Sequence, residues 1–294
     1  MPYHEISFSL RINYTIHRAT LSASKPRPWV ILVNGLADPQ STWATQTPAF
    51  TAAGHTVLTY DNRGIGMSSR PQSDDELYTV HDMASDLHSL VHAVGVPTPF
   101  HLLGLSMGGM ISQTYALTYP EDLTSATFAC TYAFPGPFCS RMFSLWGDMA
   151  RTMSVADVMR DVALWCFSPS FFADPGRQSE LKAMEDEMAQ IDSAMGLKAY
   201  LAQLNVITTF DTREEVGKLA VTAGKPRIIV LAGESDILIP VILSRELHSL
   251  IPGAQWRTTK GGHACNWEFP DEFNQTCLEM WKDVEDKTDT SPPN

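Results

Sequence analysis

The chain has 294 residues, of which 44% are hydrophobic and 18% are charged, a composition typical of a soluble globular protein. Its 21 basic and 33 acidic residues give a net charge of −12, which argues against nucleic acid as the main partner. No apolar run is long enough to cross a bilayer, and the N-terminus lacks the apolar core of a signal peptide. We therefore expect a cytoplasmic protein without membrane contact.

Alternating apolar residues over 5–18 predict two short antiparallel strands. Five continuous apolar runs follow, and such runs are typical of strands buried on both faces of a parallel sheet. Helical patterns lie between them, near 80–94, 107–119 and 240–251. The alternation predicts an α/β fold with a mostly parallel sheet and flanking helices. The runs are PWVILVNG, HTVLTYD (55–61), FHLLGL (100–105), LTSATFAC (123–130) and PRIIVLAG (226–233).

The interval between the fourth and fifth runs contains no clean strand and is rich in aromatic residues and methionine. We interpret 134–215 as a helical cap over the carboxyl ends of the strands, inserted into a core formed by 1–133 and 216–284. The polar residues 285–294 are expected to form a flexible tail. Most bulky cap residues would pack the cap onto the sheet, and those on its underside would line a pocket. The candidate pocket residues are Asn34, Phe134, Trp146, Met149 and Met153.

The stretch HLLGLSMGGMIS (101–112) places Ser106 between glycines, where a strand pattern gives way to a helix pattern. A sharp turn of this kind would hold the serine as an exposed nucleophile, and Gly104 and Gly108 would let strand and helix pass closely. The helix N-terminus would offer the Met107 N–H to a developing oxyanion. An ordinary tight turn is the alternative explanation of this motif taken alone.

A serine nucleophile needs a base and an acid, and the chain supplies candidates in the order Ser, Asp, His. Asp236 follows the fifth run in AGESDILIPV, and His263 lies on the glycine loop TTKGGHACNW. Both lie where loops gather at the carboxyl end of the sheet. A second oxyanion donor is predicted at the Leu36 N–H, in the glycine turn after the first run, with a plain strand-exit turn as the alternative.

Three other histidines, His81, His88 and His92, share one face of a predicted helix, opposite its apolar residues, and are expected to face water. His88 and His92 have the i,i+4 spacing of metal ligands, but HSLVH lacks the glutamate of a zincin helix. The five cysteines are scattered and odd in number, without C-x-x-C spacing, which favours reduced thiols. We therefore expect no metal and no cofactor. The cysteines are Cys130, Cys139, Cys166, Cys265 and Cys277.

Five blocks in order resemble the α/β-hydrolase superfamily over most of the chain. They are NGLADPQSTW, YDNRGIGMSSRP (60–71), LGLSMGGMISQTYALTYPEDL, LAGESDILIPV and GGHACNWEFPDEFN. Within the superfamily, the chain most resembles the 3-oxoadipate enol-lactonase group. The resemblance implies an α/β-hydrolase fold, a triad of Ser106, Asp236 and His263, and oxyanion donors at Leu36 and Met107.

The chain departs from many relatives at Asn34, where they have histidine, and this departure bears on what lines the pocket. Asp61 and Arg63 lie in the second block. We expect these two residues to form a structural ion pair, and a substrate contact is the alternative.

The expected reaction is a two-step acyl transfer in which Ser106 attacks an ester or lactone carbonyl, His263 removes its proton and Asp236 orients the imidazole. We expect a mainly apolar small-molecule substrate. The alternatives are small anionic lactones, C–C bond hydrolysis or ring closure with the same triad, and a ligand sensor that hardly turns over. The sequence leaves the oligomeric state open, with a homodimer as one option.

Overall fold

The computed structural model, which describes residues 2–20, 27–73, 76–222 and 224–289, is built around one eight-stranded sheet. The strands are β1 (Tyr3–Glu5), β2 (Arg11–His17), β3 (Val30–Val33), β4 (Val57–Tyr60), β5 (Phe100–Leu105), β6 (Leu123–Ala129), β7 (Arg227–Gly233) and β8 (Gln255–Thr259). Their spatial order is β1-β2-β4-β3-β5-β6-β7-β8. β1 and β2 pair antiparallel, as do β2 and β4, whereas every other pair is parallel. The prediction of a mostly parallel sheet is confirmed.

Alternate residues of the central strands enter two separate hydrophobic clusters, because successive side chains of a strand point to opposite faces. In β3, Ile31 and Val33 join one cluster, and Val30 and Leu32 join the other. Helices cover both faces, which explains why the strands are continuously apolar. The helices of the described chain are α1 (Gln46–Ala52), α2 (Val80–Ala93), α3 (Met107–Thr118), α4 (Gly136–Ala150), α5 (Val155–Cys166), α6 (Pro169–Ala173), α7 (Gln178–Met188), α8 (Ile191–Ala194), α9 (Leu197–Thr209), α10 (Val241–Leu250), α11 (Cys265–Glu268) and α12 (Pro270–Asp289).

The six helices α4 to α9 follow one another between β6 and β7, and no strand interrupts them within the described residues. Residues of α4, α5, α7, α8 and α9 line a cavity that Ser106 also lines, so the 134–215 segment lies over the carboxyl end of β5. Of the helices that the structure describes, none combines the length and the apolar character needed to span a membrane.

The N-terminal hairpin is shorter than the sequence pattern predicts. β1 ends at Glu5, and Ile6 and Ser7 hydrogen-bond to the Leu10 carbonyl in a bend. Phe8 lies at this bend and is fully exposed. Its alternation with Ile6 imitates a strand, but no neighbouring strand pairs with it.

Helix α12 extends further than expected, since it continues to Asp289. The structure therefore places 285–289 in a helix rather than in a tail, and 290–294 lie outside the described residues. The Glu285 carboxylate accepts hydrogen bonds from the Arg27 guanidinium at 2.9 and 3.0 Å. This ion pair joins the last helix to the segment that precedes β3.

Two buried histidines pack against the same helix. The rings of His55 and His101 both contact Trp281 of α12. His55 Nδ1 donates to the Pro28 carbonyl at 2.8 Å, and its Nε2 is buried without a hydrogen-bond partner among the described residues. Burial lowers the pKa of His55 to about 4, and burial likewise lowers the pKa of His101. Both side chains are therefore held neutral in the folded state at neutral pH.

We expect acid to destabilise the fold through His55. Because the pKa of this group is lowered on folding, the unfolded state binds more protons as the pH falls from about 6.5 to about 4, and stability is lost across that window. In urea titrations at several pH values, His55→Asn should reduce the slope of the unfolding free energy against pH, leaving the contribution of His101. The exposed His81→Asn variant serves as the control, and equal slopes in both variants would contradict the assignment.

Candidate active site

Ser106 occupies a strained turn between β5 and α3. Its backbone has φ 58° and ψ −120°, a region that residues with a Cβ rarely adopt. The turn is held by hydrogen bonds from the Ser106 N–H to the Ala129 carbonyl and from the Gly109 N–H to the Ser106 carbonyl, both 2.9 Å. Strain of this kind persists only where the surrounding structure enforces it, and here it presents the serine hydroxyl at the sheet's carboxyl edge.

The glycines around Ser106 are required by close packing of backbone against backbone. A Cβ on Gly104 would collide with the Gly108 carbonyl oxygen, and a Cβ on Gly108 would collide with the Val33 carbonyl oxygen. A Cβ on Gly109 would lie 2.6 Å from the Thr131 methyl carbon. Helix α3 can therefore start this close to β3 and β5 only with glycine at these positions.

Asp236 and His263 form a buried hydrogen-bonded pair. Asp236 follows β7 and His263 follows β8, and His263 Nδ1 donates to Asp236 Oδ2 at 2.8 Å. The other carboxylate oxygen accepts the Ile239 N–H at 2.9 Å, which fixes the carboxylate. Because Nδ1 is bonded to Asp236, Nε2 is the ring nitrogen of His263 that remains available. His263 lines the same cavity as Ser106.

This cavity has a volume of about 340 Å³ and lies between the carboxyl edge of the sheet and the 134–215 segment. Of its 28 lining residues, 21 are apolar, which suits a mainly apolar ligand. Trp146 lines it, as predicted from the sequence. The other bulky lining residues from the segment include Phe143, Met159, Phe167, Met184, Met188 and Ile191.

Four of the predicted pocket residues lie outside the cavity. The Asn34 amide is fully engaged elsewhere, since it donates to the carbonyls of Asp38 and Tyr60 and accepts from the Trp43 indole. The other three lie on surfaces of the 134–215 segment that do not face the cavity. Phe134 packs beneath the Arg213 guanidinium, Met149 packs against the core, and Met153 is exposed beyond the end of α4.

The two predicted oxyanion donors have free backbone N–H groups. Neither the Leu36 N–H nor the Met107 N–H donates to another group of the described chain, whereas the adjacent Ala37 N–H donates to the Gln203 side chain at 2.9 Å. Leu36 lines the cavity, and the position of a Cβ on Gly35 would be 3.5 Å from the Ser106 Cβ. The loop after β3 therefore passes directly beside the serine.

Two carboxyl groups in the cavity wall were not singled out by the sequence. Asp38 and Glu187 both line the cavity. Burial raises the pKa of the Asp38 carboxyl to about 7, although His263 and the Gly35 N–H oppose the rise and the Glu187 carboxylate adds to it. Asp38 lies in the block NGLADPQSTW, but nothing in the sequence pattern distinguishes it from an ordinary loop aspartate. The cavity wall is thus mostly apolar but includes two acidic residues, of which Asp38 interacts electrostatically with His263.

The predicted ion pair between Asp61 and Arg63 is wrong. Arg63 instead makes a bidentate pair with Asp86 of α2, at 2.6 and 2.7 Å. Asp61 accepts the backbone N–H groups of Gln40 and Met67, at 2.8 and 3.0 Å. The carboxylate therefore joins the loop after β3 to the loop after β4, and neither residue lines the cavity.

One group of potential metal ligands among the described residues overlaps the site. It comprises Cys130, Asp236 and His263. A hydrogen bond with Cys265 and burial raise the pKa of the Cys130 thiol well above its ordinary value. A protonated thiol is a poor metal ligand, and the other two groups are already bonded to each other. The arrangement thus suits proton transfer better than metal binding.

A comparison with family models matches the α/β hydrolase fold over residues 28–270, which is most of the chain. The chain belongs to the α/β hydrolase family. As in the predicted resemblance, this hydrolase is similar to the solved enol-lactonase of Burkholderia xenovorans LB400, with a TM-score of 0.79 and 22% identity, covering 96% of this chain and 100% of that one.

Other relatives of this α/β hydrolase carry different hydrolase names. It is 26% identical over 254 residues to RutD of Pseudomonas savastanoi pv. phaseolicola, provisionally named a carbamate hydrolase, covering 86% of this chain and 93% of the relative. A thermophilic esterase from Thermogutta terrifontis matches with a TM-score of 0.77 and 21% identity, covering 94% of both chains. The family is therefore a hydrolase family, and the substrate differs among its members.

We expect the close packing at Gly108 to make it intolerant of any side chain in this hydrolase. Gly108→Ala should lower the unfolding free energy by about 3 kcal/mol, because the added methyl meets a strand carbonyl that cannot move aside. Gly217→Ala is the matched control, since the nearest atom to its Cβ would be 3.4 Å away, and it should change stability by less than about 0.5 kcal/mol. Urea denaturation measures both, and similar stabilities would contradict the packing argument.

Proposed function

We propose that this α/β hydrolase cleaves a carboxylic ester or lactone of a mainly apolar small molecule through Ser106, His263 and Asp236. The observation that carries the proposal is the 2.8 Å bond between His263 and Asp236, made by an imidazole that shares one cavity with the strained serine. A histidine oriented by a carboxylate is the base that a serine nucleophile requires.

In the first step, Ser106 Oγ attacks the substrate carbonyl carbon while His263 Nε2 takes the hydroxyl proton. Asp236 accepts the Nδ1–H, fixes the tautomer and stabilises the imidazolium that forms. The carbonyl oxygen becomes negatively charged and accepts the free N–H groups of Leu36 and Met107. His263 then protonates the leaving alcohol oxygen, and the C–O bond breaks to give an acyl-enzyme.

In the second step, His263 removes a proton from water, and the hydroxide attacks the acyl carbon. The tetrahedral species again places its oxyanion against the Leu36 and Met107 N–H groups. Collapse returns the proton to Ser106 Oγ and releases the carboxylic acid. The Asp38 carboxylate, where ionised, lies close enough to favour the imidazolium of both steps.

The cavity charges favour a neutral substrate over an anionic one. No Lys or Arg is among the described lining residues, and the two acidic residues among them are Asp38 and Glu187. A carboxylate on the substrate would be desolvated beside like charges without a cation to pair with it. This argues for the apolar substrate class and against the small anionic lactones that the resemblance to enol-lactonases suggests.

Ser106→Ala should remove nearly all hydrolysis of activated esters such as 4-nitrophenyl butyrate, with a loss on the order of 10⁴ or more in kcat. Ser112→Ala, on the same helix and buried, is the control and should retain activity. A fluorophosphonate should label Ser106 alone, as located by peptide mass spectrometry. Substantial activity in Ser106→Ala, or labelling of another residue, would reject the proposal, and no turnover by the wild type would favour a ligand sensor.

Along a series of 4-nitrophenyl esters from acetate to hexanoate, kcat/KM should rise about fourfold per methylene, since each buried CH₂ contributes about 0.8 kcal/mol. An ester of equal length that ends in a carboxylate should have a lower kcat/KM than the uncharged ester. The double variant Asp38→Asn, Glu187→Gln should reduce this difference in kcat/KM. Steady-state kinetics at pH 8 provides the measurement. A preference for small anionic lactones, with no gain per methylene, would instead favour the enol-lactonase activity.

A further inference from the structure

Two histidines and an aspartate converge on the surface of α2, away from the candidate active site. His88 and His92 lie one turn apart on this helix, and Asp122 belongs to the turn that precedes β6. The His88 side chain is partly exposed, at 33%, and the His92 side chain is 50% exposed, so the predicted solvent-facing surface also carries the contact with Asp122. Asp122 is almost fully buried, at 7%. The sequence could not indicate this third residue because it lies 30 positions beyond His92.

The three candidate ligand atoms lie close enough together for one metal ion to contact all of them. Ligands about 2.0–2.1 Å from Zn²⁺ lie roughly 3.3 Å apart at a tetrahedral angle. Asp122 Oδ2 is 3.1 Å from His92 Nε2 and 3.7 Å from His88 Nε2, and all three atoms lie within 4.8 Å of one another. An ion bound to all three atoms would draw them to about this tetrahedral spacing.

Neighbouring aromatic residues hold two of these side chains in place. The His88 ring stacks on the Tyr119 ring, with centroids 3.7 Å apart and an angle of 15° between the planes. The Tyr115 hydroxyl donates to Asp122 Oδ2 at 2.7 Å. Such outer contacts orient ligands before an ion arrives, and they are a regular feature of metal sites in proteins.

A hydrogen bond explains the contact of Asp122 with His92 but not its contact with His88. The His92 contact with Asp122, at 3.1 Å, has hydrogen-bond length. The His88 Nε2 lies 3.7 Å from the same carboxylate oxygen, which is too long for a hydrogen bond. A cation bound to all three atoms would account for the approach of His88 to a carboxylate to which it makes no hydrogen bond.

We propose that His88, His92 and Asp122 bind one divalent first-row transition ion of the Zn²⁺ class, with water completing the coordination. Neutral imidazoles and a carboxylate are ligands that this class prefers. The ion would link α2 to the turn before β6, two elements that otherwise meet through side chains. Its role is to stabilise the fold, and the site is independent of the hydrolase reaction.

The test uses the full chain without a histidine tag and ZnCl₂ as the probe. Competition with a chromophoric chelator should show one Zn²⁺ per chain, and Zn²⁺ should raise the Tm. His92→Ala should weaken binding by about 100-fold and abolish the Tm shift, since it removes a direct ligand whereas loss of outer-shell partners already costs 10–100-fold. His92 is half exposed, so this variant should fold. His81→Ala, on the exposed surface of the same helix, is the matched control and should bind Zn²⁺ normally.

Two further variants locate the ion. Tyr115→Phe keeps all three ligands but removes the hydroxyl that orients Asp122, and it should weaken binding about tenfold. His263→Ala should leave Zn²⁺ affinity unchanged. Absence of stoichiometric Zn²⁺ binding by the wild type, equal binding by His92→Ala, or loss of binding in His263→Ala would each overturn the proposal.

Discussion

The close approach of α3 to the central strands is the constraint on which the candidate site depends. Because Gly104 and Gly108 lack side chains, the helix begins almost against the backbone of β3 and β5. Ser106 must then adopt a positive φ to connect strand and helix. The same packing leaves the Met107 N–H at the helix start without an acceptor and brings the loop after β3 beside the serine. The positions of the proposed nucleophile and of both proposed oxyanion donors thus depend on one backbone contact.

The candidate site depends, second, on how its polar and charged groups are distributed in the cavity. The buried pair of His263 and Asp236 is compensated by hydrogen bonds, whereas the Asp38 carboxyl is desolvated and holds its proton up to about pH 7. The Asn266 amide also lines the cavity and finds no partner among the described residues. Buried polar groups left uncompensated reduce stability, and they are commonly tolerated where a ligand supplies the missing partner. The Asp38 carboxyl is close enough to His263 to interact with it electrostatically.

The sequence was sufficient for features that depend on chain order and strand periodicity. All five apolar runs form parallel strands, and Ser106, Asp236 and His263 fall at the ends of β5, β7 and β8 because the fold brings those loops to one edge. It was insufficient where the outcome depends on contacts between distant loops. Arg63 could pair with Asp61 or Asp86 equally well by local rules, and only the position of α2 selects Asp86. Of the predicted pocket residues, Trp146 lines the cavity and the other four do not, since the sequence pattern alone does not determine which surface of a packed segment meets the cavity.

Gln203 of α9 connects the helical segment 134–215 to the loops that follow β3 and β4. Its amide accepts the Ala37 N–H at 2.9 Å and donates to the Arg63 carbonyl at 2.8 Å. Ala37 directly follows Leu36, so α9, which lines the cavity through Ile207, is hydrogen-bonded to the loop that holds the proposed oxyanion donor. The Gln203 amide therefore fixes α9 relative to the loops after β3 and β4, and a movement of α9 that kept both hydrogen bonds would also move the Leu36 N–H.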